Sequence, residues 1–290
     1  IDACYFAYTS QLMAQMSDAI GRKAEANKYR NWDKQIRAFF NKNYVNEDGS
    51  LAVNTQTAYA LALFANMFPE DKRPLAGQHL ANLIAGNGHA MSTGFIGTRP
   101  LLPALTATGH HDLATRLLQN RNYPSWGFEV VNGATTIWER WNSYTKEGGF
   151  VAGMNSFSHY SFGAVCEWMF QSLAGIDTQG PGYKHILLRP APAAADTNPD
   201  VAPINWLKAE YDSIRGPIKS AWKKTDQGLQ YNVTLPANTT ATLHLPSTGN
   251  ANVRESGAPL AKASGVKVLA EEDAMLTLEL QSGAYEFVVN

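Results

Sequence analysis

Apolar positions fall into two regimes along the chain. From Ala3 to about Ala174 they recur every third or fourth residue: Tyr5, Tyr8, Leu12, Met16 and Ile20, then Tyr29, Trp32, Ile36, Phe39 and Phe40. Each set lays one apolar stripe along a helix. Gly21 and the Asn46-Glu47-Asp48-Gly49 turn punctuate these two helices. The same reading places helices over Thr55–Met67, Arg73–Ile84, Thr98–Thr108, Asp112–Asn120 and Ser156–Ala174, with Asp112 as an N-cap. That makes about seven helices joined by short turns, as in an α-solenoid or a toroid of helical hairpins. No strict sequence repeat favours the solenoid. Residues 121–153 are too many for a helix connection, which takes about 2–8 residues, so this stretch is expected to line a site.

Beyond Gly175 the pattern alternates at every second residue between turn signals. Asp177 to Gly182 reads as a linker, followed by strands over His185–Arg189, Asn205–Tyr211, Gly216–Lys223, Leu229–Leu235, Thr240–Leu245, Met275–Leu280 and Ala284–Val289. The organisation expected is a helical domain over residues 1–176, a linker over 177–182 and an antiparallel β-sandwich over 183–290.

Length and charge narrow the function. The 290 residues accommodate two domains. A formal net charge of −1 gives no electrostatic footprint for nucleic acid or an anionic membrane, so a neutral ligand fits best. The two cysteines, Cys4 and Cys166, each lie in an apolar helical run and read as buried free thiols. No metal, cofactor or membrane span is expected. No leader is visible at Ile1-Asp2-Ala3-Cys4, an absence that carries no weight for a fragment.

The chemistry gathers in Gly133-Ala-Thr-Thr-Ile-Trp-Glu-Arg-Trp-Asn-Ser143, followed by Met154-Asn-Ser-Phe-Ser-His-Tyr160. Here Glu139 stands between Trp138 and Trp141 and beside Arg140, with Asn155 and His159 on the next element. Indoles take the C–H faces of sugars, charged and amide groups take the hydroxyls, and a carboxylate handles a proton or a water. A lone tryptophan is more often core, and Glu139–Arg140 alone would read as a solvated ion pair. Their clustering in a glycine-flanked loop tips the reading toward a site. Arg140 should favour the ionised form of Glu139. Asn155 reads as a cap for the helix that follows, and His159 by itself as a core histidine.

These two segments, together with Phe162-Gly-Ala-Val165 and Glu167-Trp168, closely resemble the bacterial α-L-rhamnosidases of glycoside hydrolase family 78. Thr55-Gln-Thr-Ala-Tyr-Ala-Leu61, Ser92-Thr-Gly-Phe-Ile-Gly-Thr98, Tyr123-Pro-Ser-Trp-Gly127, Gly182-Tyr183, Leu188-Arg189-Pro190, Gly216-Pro217-Ile218 and Trp222 extend the likeness over nearly the whole chain. The resemblance implies an (α/α)6 barrel followed by a β-sandwich, and hydrolysis of terminal α-L-rhamnosides with inversion. By position in the motif Glu139 matches the general base. Trp138, Trp141 and His159 match residues lining the rhamnose subsite, and the resemblance groups Trp126 with them; Arg140 is the remaining candidate for substrate binding.

One departure qualifies the likeness. The family's general acid lies in a segment of Arg-Asp-Glu-Arg type in the first half of the barrel, and nothing like it occurs here. The chain therefore reads as the C-terminal part of a longer enzyme. Its partners would be a rhamnose-containing glycoside and the missing N-terminal part of the same protein, and alone it should be a poor catalyst with exposed helix faces. Were the chain active alone, the acid would be sought among Asp2, Glu129 and Glu147. A non-catalytic sugar-binding module and another helical-toroid glycosidase or lyase are the alternatives. Polysaccharide work points to a periplasmic or secreted bacterial setting, with the cytoplasm left open.

Overall fold

A computed structural model describes residues 1–153, 155–193, 201–247, 249–272 and 274–290. The chain divides into two compact units, residues 1–165 with 197–201, and residues 166–196 with 202–290.

The first unit is helical. α1 (Asp2–Ala19) packs against α2 (Lys23–Tyr44), α3 (Gln56–Phe64) against α4 (Arg73–Gly86) and α5 (Phe95–Ala107), and α5 against α6 (His111–Gln119). Thr55 caps α3, its hydroxyl accepting the Ala58 N–H at 3.2 Å. Asp112 is not a cap: His110 takes that position and Asp112 falls within the first turn of α6. The core between these helices holds Tyr59, Leu80, Ile84, Leu101, Leu102 and Leu105, all fully buried. On α1 and α2 the stripes read from the sequence are only partly covered. Tyr5, Met16, Ile20 and Phe39 are 41%, 61%, 68% and 57% exposed, a large apolar area to leave in water.

After α6 the regular pattern stops. The stretch 121–153 contains α7 (Trp126–Val131), which the sequence reading missed, and a two-residue hairpin, β1 (Tyr144–Thr145) with β2 (Gly149–Phe150). The long helix expected over 156–174 is broken into a 3-10 turn (Tyr160–Ala164), α8 (Val165–Trp168) and a π turn (Met169–Leu173). Cys4 is buried as expected, whereas Cys166 is exposed.

The second unit is one connected sheet. Its strands are β3 (Ile176–Thr178), β4 (His185–Leu188), β5 (Trp206–Ser213), β6 (Gly216–Thr225), β7 (Gly228–Pro246), β8 (Val253–Glu255), β9 (Ala258–Pro259), β10 (Val266–Glu272) and β11 (Met275–Val289). Three details correct the sequence reading. Residues 177–178 belong to β3 rather than to a linker, because Asp177 pairs with Leu187 and Thr178 with Ile186. The sheet is not purely antiparallel, since β4 runs parallel to β7. The four strands expected over 229–245 and 275–289 are two long ones, β7 and β11, paired along nearly their full length.

Both long strands change partners midway. The first half of β7 pairs with β6 and its second half with β4, while β11 pairs with β10 in its first half and with β8 at its end. The register between β7 and β11 slips between Gln281 and Gly283. Buried residues of β11 accordingly switch phase, from Leu276, Leu278 and Leu280 to Tyr285, Phe287 and Val289. Across the slip β7 advances five positions, from Leu235 to Thr240, while β11 advances two, and this odd difference moves the later β11 side chains to the other face, so that both halves of β11 face one core. Ile186, Leu188, Trp222, Tyr231 and Leu243 complete that core.

Candidate functional site

The candidate site is built on α7 and the two loop segments that follow it. Ser125 caps α7 by accepting the Phe128 N–H at 2.9 Å. Gly127 fixes where the helix lies: a Cβ there would come within 2.2 Å of the Asn120 carbonyl oxygen, so only glycine permits this approach. Asn132 at the end of α7 then holds the hairpin, its Oδ1 accepting the Lys146 N–H at 3.0 Å.

Glu139 is placed by a short backbone ladder. The His159 N–H donates to the Ile137 carbonyl at 2.9 Å, and the Glu139 N–H to the Ser156 carbonyl at 2.9 Å. Residues 137–139 and 156–159 thus run side by side in opposite directions, which brings His159 beside the Glu139 segment. The Glu139 carboxylate closes the ladder by accepting the Ser156 N–H through Oε2 at 2.7 Å. Glu139 itself is half-buried. A carboxylate with one oxygen held by an amide is fixed in direction, and among the described residues its other oxygen has no hydrogen-bond partner.

Arg140 is exposed, and among the described residues its guanidinium forms no ion pair with Glu139. The solvated ion pair the two residues could have formed is therefore not made: the turn at 140–143 presents Arg140 to solvent. That turn is closed by Ser143, whose hydroxyl accepts the Arg140 N–H at 3.1 Å and donates to Asn155 Oδ1 at 2.6 Å. Asn155 also donates from Nδ2 to the Ser143 carbonyl at 3.1 Å. It therefore locks the two loop segments together and does not cap a helix.

The three indoles are more enclosed than the sequence reading favoured. Trp126, Trp138 and Trp141 are 8%, 4% and 6% exposed. Trp141 lies flat on Phe162 with centroids 3.8 Å apart, and Trp126 meets Trp141 edge-on at 5.3 Å. Trp126 Nε1 donates to the Phe162 carbonyl at 2.9 Å. Trp138 packs edge-on against Phe157 and Tyr144. Loop residues with no ladder to hold them are ordered here by aromatic area, each contact contributing about 0.5–1.5 kcal/mol beyond burial. Burial is the structural part of these tryptophans, which clustering alone did not reveal.

His159 stacks on Phe95, at the start of α5, with centroids 4.6 Å apart. Among the described residues its buried Nδ1 has no partner, nor has Nε1 of Trp141. Such polar atoms are uncommon in a finished core, and here two of them sit in the loops that carry Glu139.

Glu129, on the buried side of α7, is a further titratable group the sequence reading placed only among alternative acids. It is 3% exposed, and burial pushes its carboxyl up to about 8. Its spacing within α7 carried no signal for this, because α7 itself was not anticipated. Of the other two alternatives, Asp2 begins α1 and Glu147 is exposed in the β1–β2 turn. Among the described residues no group of three or more His, Cys, Asp or Glu side chains could hold a metal ion.

Comparison with known proteins fits this arrangement. The bacterial alpha-L-rhamnosidase 6 hairpin glycosidase domain matches residues 1–173, and the bacterial alpha-L-rhamnosidase C-terminal domain matches residues 175–258. An alpha-L-rhamnosidase of Streptomyces avermitilis is 37% identical over the whole chain, which covers 26% of that relative. One from Alteromonas sp. (strain LOR) is 30% identical over 98% of the chain and 30% of its own length. The crystal structure of the Streptomyces avermitilis enzyme complexed with L-rhamnose superposes with a TM-score of 0.89 at 36% identity, covering 99% of this chain and 26% of that one. That of the Dictyoglumus thermophilum enzyme gives 0.85 at 27% identity, over 99% of this chain and 31% of that one. The chain thus spans less than a third of the relatives it matches, and from end to end it belongs to the bacterial alpha-L-rhamnosidase family.

Proposed function

We propose that this chain supplies the general base and part of the sugar subsite of an inverting α-L-rhamnosidase. Glu139 is the base. The observation that carries this is the Ser156 N–H on one carboxylate oxygen, which fixes the group and leaves its other oxygen to take a proton from water. The water would attack the anomeric carbon from the face opposite the leaving group. His159 and Trp141, whose Nδ1 and Nε1 have no hydrogen-bond partner among the described residues, would line the sugar subsite, while Trp138 and Trp126 hold the wall behind them. Arg140, exposed beside the base, would contact the substrate beyond the first sugar.

The general acid is assigned to a part of the enzyme outside this chain. Inverting pairs stand about 6.5–9.5 Å apart across the scissile bond. Glu129 is 3% exposed, so it is poorly placed to protonate a leaving group. We assign the helical unit to part of an (α/α)6 toroid and the β unit to a sandwich with a supporting role. The exposed apolar stripes of α1 and α2 would then be covered by the rest of the toroid.

The experiment is hydrolysis of p-nitrophenyl α-L-rhamnopyranoside by the full-length protein, its Glu139→Gln variant and this 290-residue chain, with the first-formed anomer read by proton NMR. Expected are release of β-L-rhamnose by the parent, a loss of about 10²–10⁴-fold in kcat for the variant, and no turnover by the chain alone. Near-normal turnover in Glu139→Gln sinks the base assignment. Activity in the isolated chain moves the acid into it.

A further inference from the structure

Phe95 carries the helical frame into the loops around Glu139. It opens α5, and its ring lies on His159 with centroids 4.6 Å and planes 19° apart. It also meets Phe162 at 5.2 Å and 47°, and Phe162 lies flat on Trp141 at 3.8 Å and 10°. His159, Phe95, Phe162 and Trp141 thus form one continuous run of rings. Its two ends are the side chains whose buried nitrogens, Nδ1 of His159 and Nε1 of Trp141, have no hydrogen-bond partner among the described residues. The start of α5 is itself fixed: a Cβ on Gly97 would come within 2.4 Å of Thr57 Oγ1, so this turn is pressed onto α3. Phe95 remains 43% exposed, more than core packing alone would leave a phenylalanine.

We infer that Phe95 is a positioning residue for the sugar subsite: backed by Phe162 on Trp141, it sets the plane of the His159 imidazole. The inference rests on His159 lining that subsite. A histidine ring is ordinarily oriented by a hydrogen bond to one nitrogen, which fixes what the other can do. Nδ1 of His159 has no such partner among the described residues, and its backbone bond to the Ile137 carbonyl leaves the side-chain torsions free. Ring stacking takes over the task. Hydrogen bonds to sugar hydroxyls are directional and weaken steeply below about 120°, so an imidazole free to rotate holds a sugar less well. A flat ring stops that rotation, and an aliphatic side chain of similar volume does not. Glu139 is held independently, by the Ser156 N–H on its carboxylate. Loss of the Phe95 ring should therefore weaken sugar binding and spare the chemical step.

The test uses the full-length protein with p-nitrophenyl α-L-rhamnopyranoside as substrate and free L-rhamnose as inhibitor. It compares Phe95→Leu, Phe95→Tyr, His159→Ala and the double variant Phe95→Leu with His159→Ala. Phe95→Leu should raise KM and the L-rhamnose inhibition constant about tenfold, the effect of one lost hydrogen bond, with kcat within about threefold of the parent. Phe95→Tyr, which keeps the flat ring, should leave KM within about twofold. The double variant should match His159→Ala, because a residue acting through His159 then has nothing left to act on. If Phe95→Leu does not fold, Phe95→Met takes its place, since methionine adapts to irregular space without a flat face. The inference is overturned if KM is unchanged in Phe95→Leu or Phe95→Met while His159→Ala raises it. It is equally overturned if Phe95→Tyr raises KM as far as Phe95→Leu, or if the two effects multiply in the double variant. An unchanged KM in His159→Ala removes the subsite reading instead and is distinguished by that variant alone.

Discussion

Residues 125–164 and the strand pair β7–β11 satisfy their backbone groups by different means. In the sheet each peptide meets another peptide in register, from Met275 opposite Pro246 to Val289 opposite Leu229, with one slip at Gln281/Gly283. In the loop several peptides meet side chains: Arg140 meets Ser143, Lys146 meets Asn132, and Ser156 meets Glu139. A ladder is redundant, so a lost side chain leaves the neighbouring bonds in place. A loop held by side chains is specified residue by residue. That arrangement lets the carboxylate of Glu139 both close the loop and stand ready for chemistry.

The contrast can be broken most severely at the aromatic stack. Trp141→Ala removes the ring lying on Phe162 and should cost about 3–5 kcal/mol of local stability, with activity in the full-length protein falling at least as far as in any other loop variant. Leu278→Ala, fully buried in β11, should cost about 2–5 kcal/mol and leave the far-UV signature of a sheet intact below its melting temperature. Calorimetry with a kinetic assay separates the two. Equal activity losses would mean that the loop is no more specifically held than the sheet.

A second prediction uses pH. The unfolded chain releases the Glu129 proton near the ordinary value of 4.5, while the folded chain keeps it to about 8. The folded state therefore binds the extra proton between those values. The stability penalty is absent below about 4.5, grows through neutral pH and is complete above about 8. Glu129→Gln should show no change in Tm at pH 4 and a rising gain toward pH 8. A gain independent of pH would show that the carboxyl does not titrate there. The smallest effect belongs to Ser143→Ala, which frees the Arg140 N–H and Asn155 Oδ1 and should cost about 1 kcal/mol, read as a lower urea midpoint.

The same contrast explains what the sequence made legible. Helices α1 to α6 and most strands follow from period alone, because each buries one face of a regular element. The loop has no period. Its importance was visible from the residue types around Glu139 and from their likeness to a known family, but its geometry was not. Asn155 was misread as a cap because its true partner, Ser143, lies twelve positions back with no periodic relation to it. Glu129 carried no local signal, since the short helix α7 that buries it has too few turns to show a period. In the sheet the error ran the other way. Gln281 to Gly283 looked like a break between two strands, and the structure continues through it with one slipped register.

The continuity of β7 and β11 also sets how the β unit comes apart. β7 borders both β6 and β4, and β11 borders both β10 and β8, so each long strand ties two outer strands to one paired centre. Local opening is then confined to the outer strands, and amides at the centre of β7 and β11 exchange with solvent only when the whole unit unfolds. Thermal unfolding of this unit should be a single cooperative step, with no half-sheet to accumulate and expose its edges for aggregation.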